Sequence, residues 1–435
     1  MFLKNESLFP DLLEKAKAYL KKYMTCASIY QVAHPMYYLA AWAPGNLGYY
    51  KLKCIKNGKL ISRDFLLAYI RSLLDLGYQN DYKFFSQSAY YANTRVIVSW
   101  CREGDFLEDG SFDCKYFNEN SRTAADVIWI LISLDGFIPL EMDNNISIVQ
   151  RAEQKKKSLF FLAKNVVFCI KNKISFFKES IFAKQFADFF VEHLNVHQLK
   201  QVLIPYEAQP WQHTLSFILK KMNRNIEIVG DLHTCLPPLP TDFIKRCGFP
   251  DKVIVHGQGQ KDIMVHSLGW SDEHIEVSPS RRLTKNNFSE LASKILLPYA
   301  LPNTKFVLDR LKKFFQDCGA KLGRFDTRNH PVQTNSKEHI NLMREIESLQ
   351  SQYLSHDYDT LEKNISVVIG ASSVIVECLT RGIEVFHITD DVAFSRYDHS
   401  IWREIQSIQV DENIWKYNPL VQLTYLDIKE NIHHG

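Results

Sequence analysis

Three short polar segments of the 435-residue chain carry side chains able to hold a phosphate ester and move a proton. In VVIGASSVIVECLTRGIEVF, an apolar run from Val367 to Ile369 leads into Gly370, Ala371, Ser372 and Ser373, then a helix ending before Gly382. Small residues at a helix start leave backbone N–H groups and the positive end of the dipole open, and serine hydroxyls add donors, which suits a phosphate. Plain N-capping by Ser372 or Ser373 explains a serine there equally well. In FDTRNHPVQ, Arg328 and His330 come after a strand-like run, and Pro331 restrains the backbone beside the imidazole. Such a pair suits the neutralisation of a leaving phosphate. A turn histidine is the simpler account, and His34-Pro35 is another such dipeptide. In FLEDGSF, Glu108-Asp109-Gly110 offers a loop carboxylate as general base. Asp-Gly is also an ordinary turn dipeptide, and Asp105 and Asp113 compete for the same role.

These groups need strands and helices to position them. From residue 198 the runs LKQVLIPYE, NIEIVGDLH, DKVIVHGQG and HIEVSPSRR alternate with helical stretches, and GRFDTRNHP, NISVVIGASS and IEVFHITD come after them. That rhythm predicts βαβ units and a parallel, doubly wound sheet over about 198–395. Ligands bind beyond the carboxyl ends of such strands. The residues there are Glu207 and Gln209, Asp231 and His233, His256 and Gln258, Ser278 to Arg282 with Ser280 among them, Arg328 and His330, and Ser372 and Ser373. Glu207, Gln209 and Trp211 are candidates for ligand contacts there, with strand-end packing as the alternative. Earlier, 1–25 and 62–77 read as amphipathic helices and 94–100 as a strand, while 123–134 is apolar nearly all round and fits a buried strand or helix. The segment 151–190 interleaves nine Phe with eight Lys and Arg151 against three acids. It suits an anionic surface or, more plainly, a helical pair with Phe inward and Lys outward.

Composition bounds the rest. A net charge of +3 and 46% hydrophobic residues are ordinary globular values and speak against a dedicated nucleic-acid binder. Nine Cys with no C-x-x-C pair argue for free thiols in a reducing cytoplasm rather than disulfides or structural zinc. The N-terminus lacks an apolar signal core, and no run reaches the length of a membrane span, so a cytoplasmic protein, soluble or peripheral, is expected. No Walker A loop or G-x-G-x-x-G fingerprint is present, which speaks against a P-loop NTPase or a Rossmann dehydrogenase. Asp357-Tyr358-Asp359, in a polar segment before a strand, reads as solvated surface.

Taken in order, Glu108-Asp109-Gly110, His330-Pro331 and Ser372-Ser373 resemble the motifs of bacterial GT-B glycosyltransferases, specifically the CMP-sugar-dependent sialyltransferases and Kdo transferases of surface-polysaccharide synthesis. The resemblance implies an α/β fold of two Rossmann-like domains facing a cleft. It divides the chain into an acceptor-side domain at 1–150, a basic aromatic connector at 151–197, a nucleotide-sugar domain at 198–400 with a doubly wound parallel sheet, and a helical segment at 401–435 returning to the first domain. It implies an inverting, metal-independent transfer from a CMP-activated ulosonic acid to a glycan or glycolipid acceptor, with no cofactor beyond that substrate. Asp109 would be the acceptor base, His330 a contact to the CMP phosphate, and Arg328, Ser372, Ser373, Ser280 and Glu207 donor contacts. A UDP- or GDP-sugar or CDP-polyol donor, an epimerase of the same architecture and a non-catalytic assembly protein remain alternatives. Membrane contact, if made, would run through 151–190.

Overall fold

The computed structural model describes residues 8–23, 38–43, 46–74, 78–79, 82–86, 95–117, 121–122, 127–151, 155–156, 163, 167, 178–232, 234–278, 291–318, 323–331, 333–354 and 364–418. Strands there, in chain order, are β1 (Tyr78–Gln79), β2 (Tyr82–Ser86), β3 (Arg95–Cys101), β4 (Val127–Ser133), β5 (Ile146–Arg151), β6 (Lys155–Lys156), β7 (Gln201–Pro205), β8 (Glu227–Asp231), β9 (Lys252–Val255), β10 (Ile275–Val277), β11 (Lys294–Leu296), β12 (Asp326–Arg328), β13 (Ile365–Ile369), β14 (Glu384–Ile388), β15 (Ser407–Asp411) and β16 (Ile414–Tyr417).

Two large sheets result. The first runs β10-β9-β8-β7-β3-β4-β5-β2, parallel throughout except for β2, which lies antiparallel on β5. Its parallel part starts at β3, winds outward through β4 and β5, then returns to the centre at β7 and winds the other way to β10. This is the doubly wound order with a topological switch point between β3 and β7. The second sheet runs β12-β11-β13-β14 in parallel, and the antiparallel hairpin β15–β16 adds to β14. The α/β class with two Rossmann-like sheets is therefore present.

The apolar run at 123–134 resolves as strand β4. Val127, Ile128, Trp129, Ile130 and Leu131 are all buried because elements cover both faces, so no alternation appears. Alternate residues still serve different cores. Val96, Val98, Ile128, Ile130, Val202 and Ile204 join one cluster, and Ile97, Trp129, Leu131 and Leu203 the other. In the second sheet, Ile295, Val367 and Ile369 pack on the helices Thr304–Cys318 and Lys337–Tyr353. Leu296, Val368 and Val385 point to the opposite face and share the first cluster with the larger sheet, so one apolar core runs through both.

The expected domain boundaries differ from this arrangement. The strands at 201–277 complete the sheet begun at 95–151, since β7 pairs in parallel with β3. The second sheet begins only at β11. Within 401–435, residues 407–417 form a hairpin rather than a helix, turning at Asn413 with φ 62°. Residues 151–190 and 419–435 lie largely or wholly outside the described residues, as do Ser280, His233 and Asp357 to Asp359. Cys54, Cys101, Cys114, Cys235, Cys247 and Cys378 are not in disulfides. Among the described residues no helix is long and apolar enough to cross a membrane.

Candidate functional site

The carboxyl edge of the smaller sheet collects the expected phosphate-handling residues. Beyond β12, the side chain of Asn329 braces a turn: its Oδ1 accepts from the His330 amide (2.8 Å) and its Nδ2 donates to the Gln333 carbonyl (2.7 Å). The half-buried His330 ring stands edge-on to Tyr299, with centroids 5.5 Å apart, while Arg328 is exposed. Beyond β13, Gly370 takes φ 65° with Pro298 so close that a Cβ would lie 3.2 Å from its Cγ. The loops after β11 and β13 therefore touch. Ser372 and Ser373 come next, both half-buried. The Ser372 hydroxyl accepts from the Val374 amide at 3.4 Å, and Ser373 occupies the N-cap without a side-chain bond. The capping account of Ser372 is thus realised, and the helix it starts, Val374–Thr380, has only seven residues. With β11 alone between β12 and β13, the strands that lead to His330 and Ser372 lie two spacings apart, on the order of 10 Å.

A buried histidine holds that edge in shape. His387 Nε2 donates to the Gly370 carbonyl at 2.8 Å, which leaves Nδ1 to accept from the Tyr417 hydroxyl at 3.3 Å. Burial lowers the imidazole to about 4, against a small opposing effect of the Gly370 bond. A histidine depressed in this way takes up its proton more readily when unfolded. Its contribution is complete above the unfolded value near 6.5 and is lost as pH falls from there toward 4, a loss of roughly 3 kcal/mol. Stability measured by urea unfolding should therefore fall with acid in the native chain, and the His387→Gln variant should lose less over the same window. Equal slopes would show that His387 does not titrate on unfolding.

The larger sheet presents its switch point at the same kind of edge. At the end of β7, Glu207, Ala208 and Gln209 make a tight turn in which Ala208 adopts φ 53°, unusual for a residue with a side chain. The buried Gln212 secures it, its Oε1 accepting from the Glu207 and Gln209 amides (both 3.0 Å) and its Nε2 donating to the Pro205 carbonyl (2.5 Å). Gln209 bonds the Glu207 carboxylate and accepts from Trp211 Nε1 at 2.7 Å. Trp211 meets Trp100, from the end of β3, edge-to-face at 6.2 Å. Past β8, Asp242 is fully buried and accepts from Trp42 Nε1 at 2.9 Å. Burial raises its carboxyl to about 7. Burial also raises Asp231 to about 7, helped by Glu276.

Both edges look onto one seam. The Tyr397 hydroxyl donates to the Leu236 carbonyl (3.1 Å) and Trp402 Nε1 to the Pro238 carbonyl (3.0 Å), so the segment leaving β14 lies on the loop leaving β8. Asp391, just past β14, is gripped by Lys53 (3.5 Å), Lys56 (3.3 Å) and the Tyr49 hydroxyl (3.4 Å) of the helix Leu47–Lys56.

Asp109 is not at this seam. Phe106 and Phe112 pair as the two arms of a small hairpin whose tip carries Asp109-Gly110. That tip binds segments leading into the amino ends of β4 and β5. Arg122 pairs with Asp109 at 2.5 Å, Asp143 donates its amide to the Gly110 carbonyl at 3.2 Å, and a Cβ on Gly110 would fall 3.0 Å from the Glu141 carbonyl. Bonds from the Ser111 hydroxyl (2.6 Å) and amide (3.0 Å), then Arg122, hold the Asp109 carboxyl below its ordinary range. This is the turn chemistry of an Asp-Gly pair, and it leaves a poor base. Of the rival acids, Asp105 is buried and paired with Lys115. Of the donor residues, Arg328, His330, Ser372 and Ser373 share one edge, while Glu207 belongs to the other. Asp242, Tyr38 and Arg246 did not stand out in the sequence. The one available signal was the run Pro237-Pro238-Leu239-Pro240, which marks a rigid irregular loop leading to an acid.

Fold and site together define a two-sheet α/β protein whose strands end at a shared seam. No family model matches the chain, and no curated protein does. Among solved structures it is similar to a trehalose-6-phosphate synthase, OtsA, at 10% identity over 69% of this chain and 85% of that one, with a TM-score of 0.34. A likeness that slight assigns neither fold nor chemistry, and the functional reading stands on the geometry.

Proposed function

We propose that this protein is a GT-B-type glycosyltransferase that takes a sugar from a nucleotide donor held on the smaller sheet and passes it to an acceptor across the seam. The observation that carries the reading is that two parallel sheets of one chain turn their carboxyl edges to a common seam, and that Arg328, His330, Ser372 and Ser373 gather on one of them. Such edges are where open α/β sheets bind ligands. Departure of the nucleotide builds negative charge on its phosphate. The Arg328 guanidinium and the His330 imidazole would neutralise it, and the serine hydroxyls would donate to its oxygens. With cations supplied by side chains, the reading needs no metal. Attack from the side opposite the leaving group inverts the anomeric centre, and closing the seam excludes the water that would hydrolyse the donor.

For the donor we propose a CMP-activated ulosonic acid such as sialic acid or Kdo, on the strength of the His-Pro and serine-pair motifs, with a surface glycan as product made at the inner face of the membrane. The basic, Phe-rich segment 151–190 is the proposed peripheral contact with that membrane. Isothermal titration with CMP, UDP and GDP tests the donor, alongside mass spectrometry of nucleotides that co-purify. CMP is expected to bind most tightly. Tight binding of UDP or GDP in its place rejects the donor, and absence of binding by all three rejects the enzyme reading in favour of an assembly protein.

A further inference from the structure

A set of buried polar side chains lies on the larger sheet's side of the seam. Asp242 comes from the turn Thr241–Phe243 beyond β8, with Arg246 four residues later. Tyr38 comes from the segment before the helix Leu47–Lys56, and the Thr241 hydroxyl donates to the Leu39 carbonyl, tying the two segments together. Asp242 is 0% exposed and Tyr38 5%. Trp42 fixes Oδ2 of Asp242. The other carboxylate oxygen, the Tyr38 hydroxyl and Nη2 of Arg246 are each sealed from solvent and, among the described residues, have no hydrogen-bond partner. The three groups feel one another's charge, and Glu207 and Tyr206 act on the same set. They act on one another electrostatically without a hydrogen bond between them.

A buried polar atom without a partner calls for an explanation, and three on residues that act on one another mark a place where a polar group belongs. The three groups together select a definite chemistry. A group bound among them must donate to a carboxylate and accept from a guanidinium, with a phenol able to do either. A hydroxyl does both at one atom. An ammonium would satisfy Asp242 but face Arg246, and a phosphate or carboxylate would suit Arg246 but be repelled by Asp242 and Glu207. Trp42 and Glu207, both half-buried, border the cluster, and Leu236 and Pro238 of the same loop carry its contacts to the smaller sheet's side.

We propose that Asp242, Tyr38 and Arg246 bind a hydroxyl of a neutral, polyhydroxylated acceptor, and that Asp242 takes the hydroxyl proton during transfer. The second half rests on the glycosyltransferase reading. In that step the acceptor O–H bond breaks and its proton goes to Oδ1 of Asp242. The oxygen's electron pair forms the new bond to the anomeric carbon, and the old bond to the phosphate oxygen breaks, its pair leaving with the nucleotide. Trp42 is a positioning residue: by holding Oδ2 it leaves Oδ1 for the hydroxyl. A carboxyl held near neutrality by burial is a stronger base than an exposed one and remains available at working pH.

The test is saturation-transfer NMR of the full chain with galactose, glucose, lactose and glycerol, with CMP titration calorimetry on the same samples. The native chain should transfer saturation to at least one of these. Asp242→Asn and Tyr38→Phe should each weaken that sugar about tenfold or more while leaving CMP affinity unchanged. Asp242→Asn should also melt higher than the native chain above pH 7. The folded carboxyl is raised to about 7, so its ionisation costs stability as pH climbs from its unfolded value to that point, and asparagine removes the cost. The gain excludes misfolding as the cause of lost binding. No transfer to any of the four probes, as a site filled by ordered water alone would give, overturns the proposal, and so does unchanged binding in Asp242→Asn. If the sugar results hold but CMP does not bind the native chain, the transfer reading fails and the hydroxyl site stands.

Discussion

Alanine at both Arg328 and His330 is expected to weaken CMP binding about a hundredfold. In the proposed donor site each would make a charge-assisted hydrogen bond to phosphate, worth about 1.5–3 kcal/mol, and solvent exposure at this edge takes the lower end of that range for each. Two such bonds come to about 3 kcal/mol, or two orders of magnitude in affinity. The fold should not suffer. Arg328 is exposed, and the strand bond from the Leu297 amide goes to its backbone carbonyl (3.0 Å), which alanine keeps. The His330 turn is braced by Asn329, whose bonds to the His330 amide and the Gln333 carbonyl alanine at 330 keeps. Salt should weaken the native complex and affect the double variant far less, because the charge that salt screens is gone. Titration calorimetry decides the matter. A double variant that binds CMP as tightly as the native chain would remove these residues from the donor site.

Gly230→Ala should be the most damaging single-methyl addition in the larger sheet. Gly230 lies inside β8 beneath Tyr206, and a Cβ there would fall 2.8 Å from Tyr206 Cγ, 2.9 Å from its Cβ and 3.1 Å from Pro250 Cγ. Those are the stem of a fully buried side chain and a ring, not a flexible tip. Tyr206 cannot swing aside: its hydroxyl bonds His213 Nε2 at 3.1 Å, and Phe243 and Phe249 stand edge-on to its ring at 5.7 and 6.0 Å. Overpacking of this kind costs about 3 kcal/mol. The strain would also spread along the chain to Glu207 and the Ala208 turn, so loss of sugar binding should accompany the fall in melting temperature. Gly257→Ala is the control, since nothing lies within 4 Å of a Cβ there and its backbone is extended, φ −174°. Equal melting temperatures for the two variants would contradict the packing around Tyr206.

Much of this arrangement is legible in the amino-acid order. The β-branched runs from residue 198 onward do form parallel strands, and the residues after them, Arg328, His330, Ser372 and Ser373, do come to one edge. Local rules suffice for that: an apolar run makes a strand, a glycine or a polar turn ends it, and the next few residues lie at its carboxyl end. The run at 123–134 stayed ambiguous because a strand covered on both faces has no alternation to read. The hairpin at 407–417 was missed because its positive-φ turn residue is Asn413 rather than glycine.

The chain order alone determined the α/β class and the identity of the strand ends, because both depend on periodicity over a handful of neighbours. Only the tertiary structure decided which sheet each strand joins. Parallel pairing spans crossovers of about a dozen or more residues, and nothing local in QVLIP says that it will lie beside RVIVSWC. That one pairing moves residues 201–277 into the larger sheet and creates the switch point beside Glu207. It also separates two acids that look alike in sequence. Asp109 ends at a solvated hairpin tip beside Arg122, whereas Asp242 ends in the interior with one oxygen unpaired. Their different chemistry comes from burial and neighbours brought from distant parts of the chain, which no spacing rule encodes.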